Sequence, residues 1–254
     1  MHYLIGEFLL KTVAFPITVH DHNPECTKAI VIVETRPCFW LPYVIANAVK
    51  FNPEFNLYVF GTQKVLQMLE NTIQGNYVKI DMPARISVNQ YSAMLLDTKF
   101  WSFFKEQHVL IFQTDCVFVR PIPVHMFEYD YIGAVCGSVE NVVMNGGLSL
   151  RRRDAMIRAI ELMDDQTKNL PEDIAFSITM NGAKPEFKLP TLSMCNAFAL
   201  ESLGDPGTAV GMHGTDKFYI EEEALVQHLL CSHGPKPKPS SQYHVAATGL
   251  EGLS

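Results

Sequence analysis

No run of about 20 apolar residues, the length a membrane-spanning helix requires, occurs in the sequence. The most apolar stretch near its start, Phe8 to Val19, is interrupted by Lys11 and Pro16. A basic leader and a small-residue cleavage site are also missing, so the expectation is a cytoplasmic protein without signal peptide or transmembrane segment. Its six cysteines, Cys26, Cys38, Cys116, Cys136, Cys195 and Cys231, form no C-x-x-C pair and no metal-ligand spacing. That pattern excludes a structural zinc site and a disulfide framework, and it suits reduced thiols packed in an intracellular protein. Basic charge is scarce: 20 Lys and Arg against 27 Asp and Glu give a net charge of -7. Nucleic acid and anionic membrane are therefore poor partners. No G-x-G-x-x-G follows an apolar run, which excludes a Rossmann oxidoreductase, and there is no internal repeat.

What is present is enough apolar material for a large core, 48% of 254 residues. Between Ala29 and Val135, short β-branched runs alternate with longer amphipathic ones, the pattern of strands joined by crossover helices in a mainly parallel sheet. Strands are expected at Ala29 to Glu34, Leu57 to Gly61, Tyr77 to Ile80, Val109 to Phe112, Tyr131 to Val135, Leu148 to Leu150 and Ala197 to Glu201. Helices are expected at Pro42 to Phe51, Lys64 to Asn71, Gln90 to Lys105, Asp154 to Met163, from Pro171 onward, and at Glu221 to Cys231. Beyond Met180 the pattern becomes irregular. Residues 1–28 read as an N-terminal extension, 29–232 as one α/β domain flanked by helices, and 233–254, with Gly234-Pro-Lys-Pro-Lys-Pro-Ser-Ser241, as a flexible tail or linker.

Ligands of open parallel sheets bind at the carboxyl ends of the strands, so the polar residues that end each apolar run are the candidates. The first strand ends in Glu34-Thr35-Arg36 and the central one in Gln113-Thr114-Asp115. Asp115 sits in a short polar break before Cys116-Val117-Phe118-Val119, where an ionised carboxylate needs a cation or strong hydrogen bonds. It is either a ligand for Mn or Mg or the cap of a turn. Cys116 reads as a small buried residue. Asn145-Gly146-Gly147 reads as a loop in which two residues without side chains allow a ligand close to backbone, or as a plain turn. Arg151-Arg152-Arg153 is a solvated helix start or an anion site. Glu172-Asp173, after Pro171, is a favourable acidic helix start or holds a general base. His213, in a Gly-flanked loop with Lys217 four residues on, offers an imidazole to a metal beside a cation for phosphate.

Taken in order over residues 29 to 220, these motifs resemble those of nucleotide-sugar-dependent glycosyltransferases with the GT-A fold. In that superfamily an apolar strand ends in D-x-D, followed by a glycine-containing loop, an acidic motif at a helix start and a C-terminal histidine. The chain looks most like a little-characterised branch with E-x-R, Q-T-D, N-G-G-L-S-L-R and P-E-D motifs. The resemblance implies a nucleotide-binding half over about 29–119 and an acceptor half over about 120–232. It implies that Asp115 and His213 hold Mn2+ or Mg2+ on the diphosphate of a nucleotide-sugar donor, UDP-linked by default, and that Lys217 neutralises the departing nucleotide. Glu34, Thr35 and Arg36 would line the nucleoside pocket. Gln113, Thr114, Asn145, Gly146 and Gly147 would contact the donor, and Asp173, with Glu172 beside it, would be the base of an inverting transfer to a glycan or glycoconjugate hydroxyl. Gln113 departs from the pattern by replacing the first Asp of D-x-D, which motivates an alternative, a non-catalytic glycan- or nucleotide-binding relative. A sugar nucleotidyltransferase fits less well, because no glycine follows the first strand in Glu34-Thr-Arg-Pro-Cys-Phe-Trp40.

Overall fold

The computed structural model describes residues 16–136, 143–201 and 208–214, together with residues 6, 9–11 and 13. Lys217, the expected helix Glu221 to Cys231 and the 233–254 tail lie outside the described residues. The strands are β1 (Ile17–Thr18), β2 (Lys28–Val33), β3 (Asn56–Gly61), β4 (Ile73–Gln74), β5 (Val78–Asp81), β6 (His108–Phe112), β7 (Val117–Phe118), β8 (Tyr131–Cys136), β9 (Val143–Arg152), β10 (Ala199–Leu200) and β11 (Gly211–Met212). The α-helices are α1 (Leu41–Phe51), α2 (Gln63–Glu70), α3 (Val88–Leu95), α4 (Thr98–Ser102), α5 (Arg153–Leu162), α6 (Glu172–Gly182) and α7 (Leu192–Phe198).

Six strands form one central sheet in the order β5-β3-β2-β6-β9-β8. The first four are parallel, and β9 runs antiparallel to both β6 and β8. The class is therefore α/β, a mainly parallel sheet flanked by helices, as the sequence pattern implied. β3 and β6 are buried along their whole length. Successive side chains point to opposite faces, so a strand covered on both faces reads as an unbroken apolar run. The edge strand β5, Val-Lys-Ile-Asp, instead alternates half-buried with exposed residues, and its charges discourage further pairing. Phe60 packs under Phe100 and Phe104 with ring centroids 5.6 and 6.3 Å away, which ties α4 and its following turn to β3.

Four elements differ from the sequence pattern. The single helix expected over Gln90 to Lys105 is two, because Asp97 accepts a bond from Lys99 N (2.9 Å) and caps a new start at Thr98. Asn145-Gly146-Gly147 is not a loop but part of β9, which extends the expected Leu148 to Leu150 strand to ten residues. Thr191 caps the helix α7 in a region expected to be irregular. That helix takes Ala197 and Phe198 and leaves β10 only Ala199–Leu200 of the expected strand.

Two features carry the fold toward a site. Parallel pairing puts the carboxyl ends of β2 and β6 on one edge. Leu148 lies opposite Phe112, so residues 145–147 continue beyond the end of β6 beside Gln113 to Asp115. Opposite them, the β8–β9 register breaks between Gly133 and Val135, whose partners are Ser149 and Met144. The surplus residues of β9 bulge there and are re-aimed toward that edge. β7 is held by Asn47 on α1, which donates to Phe118 O (2.9 Å) and accepts from Phe118 N (2.6 Å).

His108 opens β6 with its Nε2 3.0 Å from Phe127 O, and burial holds its imidazole below the usual range. A depressed pKa means the unfolded chain takes up the proton first, so this stabilisation is complete above the ordinary imidazole range, begins to be lost as pH falls below about 6.5 and continues to be lost down through the lowered folded value. His108→Gln is expected to flatten the decline of melting temperature between about pH 7.5 and 5.5. Parallel slopes in wild type and variant would refute the assignment.

Candidate active site

Glu34, the first residue after β2, is buried and takes Arg36 in a fork: Arg36 N and Nε donate to Oε1 (2.8 and 2.9 Å) and Nη2 to Oε2 (2.8 Å). Its hydrogen bonds to Glu34, then the carboxylate's charge, raise the Arg36 pKa above its ordinary value. Thr35 accepts from Ile86 N (3.1 Å). After β6, Gln113, Thr114 and Asp115 are partly exposed between buried Phe112 and Cys116. Cys116 closes this turn onto β9, accepting from Gln113 N (3.2 Å) and donating to Gly147 O (3.1 Å).

His213 reaches the same point from far along the chain. β11 pairs with β7 and with β10, Leu200 stands beside Met212, and His213 N donates to Leu200 O (2.9 Å). The ring is 4% exposed. Its Nε2 lies 3.3 Å from Gln113 Oε1 and 3.5 Å from Asp115 Oδ1, while Nδ1 lies 3.4 Å from Glu201 Oε1. Ligand atoms of Asp115, Cys116 and His213 fall within 4.8 Å of one another, and among the described residues this is the one cluster of three with that property. A carboxylate and an imidazole suit a divalent ion such as Mn. The fit is supported by placement: the buried His213 ring holds Nε2 3.5 Å from Asp115 Oδ1, so both donors can converge on one ion.

Across the site, α6 begins at the two carboxylates singled out from the sequence, and their environments are opposite. Glu172 is 4% exposed and Arg151 is completely buried. Arg151 Nη1 and Nη2 donate to the two Glu172 oxygens (2.6 and 3.0 Å), and Nε donates to Ser149 Oγ (2.9 Å). The guanidinium carbon stands 4.7 Å from the centre of the Tyr131 ring. Burial pulls the Arg151 pKa down, but the Glu172 carboxylate more than offsets it and holds the guanidinium charged. Burial itself raises the Glu172 carboxyl. Asp173 is only half-buried, and its Oδ2 accepts from Gly146 N (3.4 Å). Of the pair, the half-buried Asp173 is the carboxylate that faces outward beside the bulge of β9.

The two glycines are explained by close contacts within the protein. A Cβ on Gly147 would collide with His213 Nε2 and stand 2.6 Å from Cε1. One on Gly146 would collide with Glu172 Oε1 and stand 2.6 Å from Arg151 Nη2. Arg151 is neither a solvated helix start nor an exposed anion site: it lies inside β9 and carries the ion pair, while Arg152 bonds Asp130 (3.3 Å). The fold thus gathers Glu34 to Arg36, Gln113 to Asp115, Asn145 to Gly147, Glu172, Asp173 and His213 along one sheet edge. Glu201 joins them without having been singled out, and Arg151 joins them in a role its composition did not suggest. Glu201 carries the same signal as Glu34, a carboxylate directly after an apolar run. Among the described residues, no helix is long and apolar enough to cross a membrane.

A family model described as "Protein of unknown function (DUF5672)" matches residues 76–213, from before β5 to the histidine itself. Two solved structures of the glycosyltransferase GlyE of Streptococcus pneumoniae TIGR4 resemble the chain. The apo form matches with 13% identity and a TM-score of 0.48 over 80% of this chain and 60% of that one. The other matches with 12% identity and a TM-score of 0.46 over 81% and 61%. The chain thus spans about three fifths of their length. No curated protein matches it. The matched segment is more than half of the 254 residues and contains Gln113, Asp115, Asn145 to Gly147, Glu172, Asp173 and His213, so the chain belongs to the DUF5672 family.

Proposed function

We propose that this protein is a glycosyltransferase of GT-A type that moves a sugar from a nucleoside-diphosphate sugar, UDP-linked by default, to a hydroxyl of a glycan or glycoconjugate, with inversion. The observation that carries this reading is the opposition of Asp115 and His213 on one side of the edge to Asp173 on the other, with Glu172 locked by Arg151. Asp115 and His213 would hold a Mn2+ or Mg2+ ion, which when bound supplies Lewis-acid stabilisation to a departing diphosphate. Glu34, Thr35 and Arg36 would orient the nucleoside, and Lys217 would add a cation. Gln113 and Thr114 would meet the donor. Asp173 accepts the proton of the acceptor hydroxyl as that oxygen bonds the anomeric carbon, a role for which Gly146 N steadies its carboxylate.

A second reading, a glycan- or nucleotide-binding relative without turnover, is favoured by one contact: Gln113, in place of the first Asp of D-x-D, lies against His213 Nε2 (3.3 Å). Melting curves with UDP, GDP, dTDP and CMP, each with and without Mn2+, separate the two. The transferase reading expects one nucleotide to raise the transition chiefly when Mn2+ is present. It then expects Asp173→Asn to keep that shift while lowering turnover of the matching nucleotide sugar by about 10²–10⁴-fold. A shift indifferent to Mn2+ with no turnover supports a nucleotide-binding relative, and no shift under any condition overturns the transferase reading and leaves the glycan-binding relative.

A further inference from the structure

We infer that Glu201 is a positioning residue that holds His213 as its Nδ1–H tautomer and turns the Nε2 lone pair toward Asp115. The inference rests on the reading in which His213 and Asp115 are metal ligands, and it adds a residue that neither the motifs nor the family match assigns a role.

The geometry is built into the backbone. Leu200 and Met212 are parallel partners, so Glu201 and His213 are the next residues of the two strands, and His213 N is tied to Leu200 O at 2.9 Å. Glu201 is 1% exposed. Its Oε1 accepts from Asn145 Nδ2 (3.3 Å), and Asn145 Oδ1 in turn accepts from Gly147 N (2.7 Å). The carboxylate is thereby anchored to the bulge of β9 on one side and lies 3.4 Å from His213 Nδ1 on the other.

A neutral imidazole carries one N–H. On Nε2, that proton would leave the Nδ1 lone pair facing a buried carboxylate, two acceptors with nothing between them. Placed on Nδ1, it faces the more deeply buried of the two carboxylates, Glu201 at 1% exposure, and the facing lone pairs move to Nε2 and the 14%-exposed Asp115 Oδ1, between which a metal ion would lie. Gln113 accommodates either state, because exchanging its amide O and N presents an N–H to Nε2 in place of an acceptor. Fixing the second ring nitrogen by a carboxylate is how a metal-binding imidazole gains orientation and basicity.

The decisive experiment records the imidazole nitrogen spectrum of ¹⁵N-histidine-labelled protein at neutral pH without metal, with His213→Gln identifying the His213 signals. The expected result is an Nδ1–H tautomer in wild type and in Glu201→Gln, whose amide oxygen still accepts, and its loss in Glu201→Ala. An Nε2–H tautomer in wild type overturns the inference and needs no variant to fold. Mn2+ titration of the same proteins, read by electron spin resonance, is expected to show about 10–100-fold weaker binding in Glu201→Ala, with Glu201→Gln within a few-fold of wild type. Equal affinity in wild type and a folded Glu201→Ala overturns the inference as well. Failure of the metal reading looks different: wild type binds no Mn2+ at all, and the tautomer alone then decides the role of Glu201.

Discussion

Replacing Glu172 by alanine is expected to cost about 3–5 kcal/mol of stability, because it leaves a buried guanidinium without its counter-charge. Arg151 is wholly enclosed and spends both Nη groups on Glu172. The Tyr131, Phe176 and Trp101 rings lie 4.7, 5.5 and 5.7 Å from its central carbon, and their faces soften the loss without replacing a carboxylate. For a chain of this size the penalty corresponds to a melting temperature lower by roughly 6–20 °C. Arg151→Met together with Glu172→Leu removes both charges and is expected to recover most of it, because the desolvation of the pair is removed along with its attraction. Asp173→Asn, one residue away, is expected to leave the melting temperature within about 2 °C, since a half-exposed carboxylate carries little of the fold. If Glu172→Ala melted within 2 °C of wild type, the ion pair would not be the support of this corner. The contrast separates two adjacent carboxylates that look equivalent in the sequence: one fixes the bulge of β9, the other stands at its surface.

Why the sequence does not tell these two apart follows from what a linear pattern records. Strands covered on both faces declare themselves, and the runs at residues 29–34, 57–61 and 109–112 correspond to β2, β3 and β6 within a residue or two. The strand β9 does not, because Asn-Gly-Gly in its middle has the composition of a turn. It stays in the strand because the pairings that flank it, Val143 and Met144 with Cys136 and Val135 and Leu148 with Phe112, hold both of its ends. The short helices failed for a different reason: Asp97 and Thr191 each start a helix through a single side-chain bond, a signal no longer than one residue. At the site, a carboxylate ending an apolar run marks Glu34, and the same signal marks Glu201. What gives Glu201 a partner, however, is the pairing of β10 with β11, to which no periodicity points. Arg151 is the sharpest case. Three consecutive arginines have the composition of a solvated surface, and only the register that sets Arg151 between Val109 and Tyr131 puts the first of them in the core.

Gly147→Ala is expected to abolish metal binding at Asp115 and His213 while the chain still folds. Gly147 does not have a positive φ, so an alanine meets no backbone strain there. What it meets is the His213 ring, with the new Cβ colliding with Nε2 and standing 2.6 Å from Cε1 and 2.7 Å from Cδ2. The imidazole cannot retreat freely, because Glu201 lies behind its Nδ1 and the backbone of His213 is tied to Leu200. Relief requires the ring to swing off Gln113 and Asp115 or the strand to shift, at a cost of about 1–3 kcal/mol for overpacking. The nitrogen lost from the cluster is the one that faces Asp115, so Mn2+ affinity is expected to fall at least 100-fold. A double-mutant cycle isolates the cause. If the collision with the ring is the whole effect, Gly147→Ala added to His213→Ala costs almost no further stability, because the space the methyl needs has been vacated. Persistence of the full penalty in the His213→Ala background would place the constraint in the β9 backbone. Wild-type Mn2+ affinity in Gly147→Ala would remove His213 from the metal site altogether.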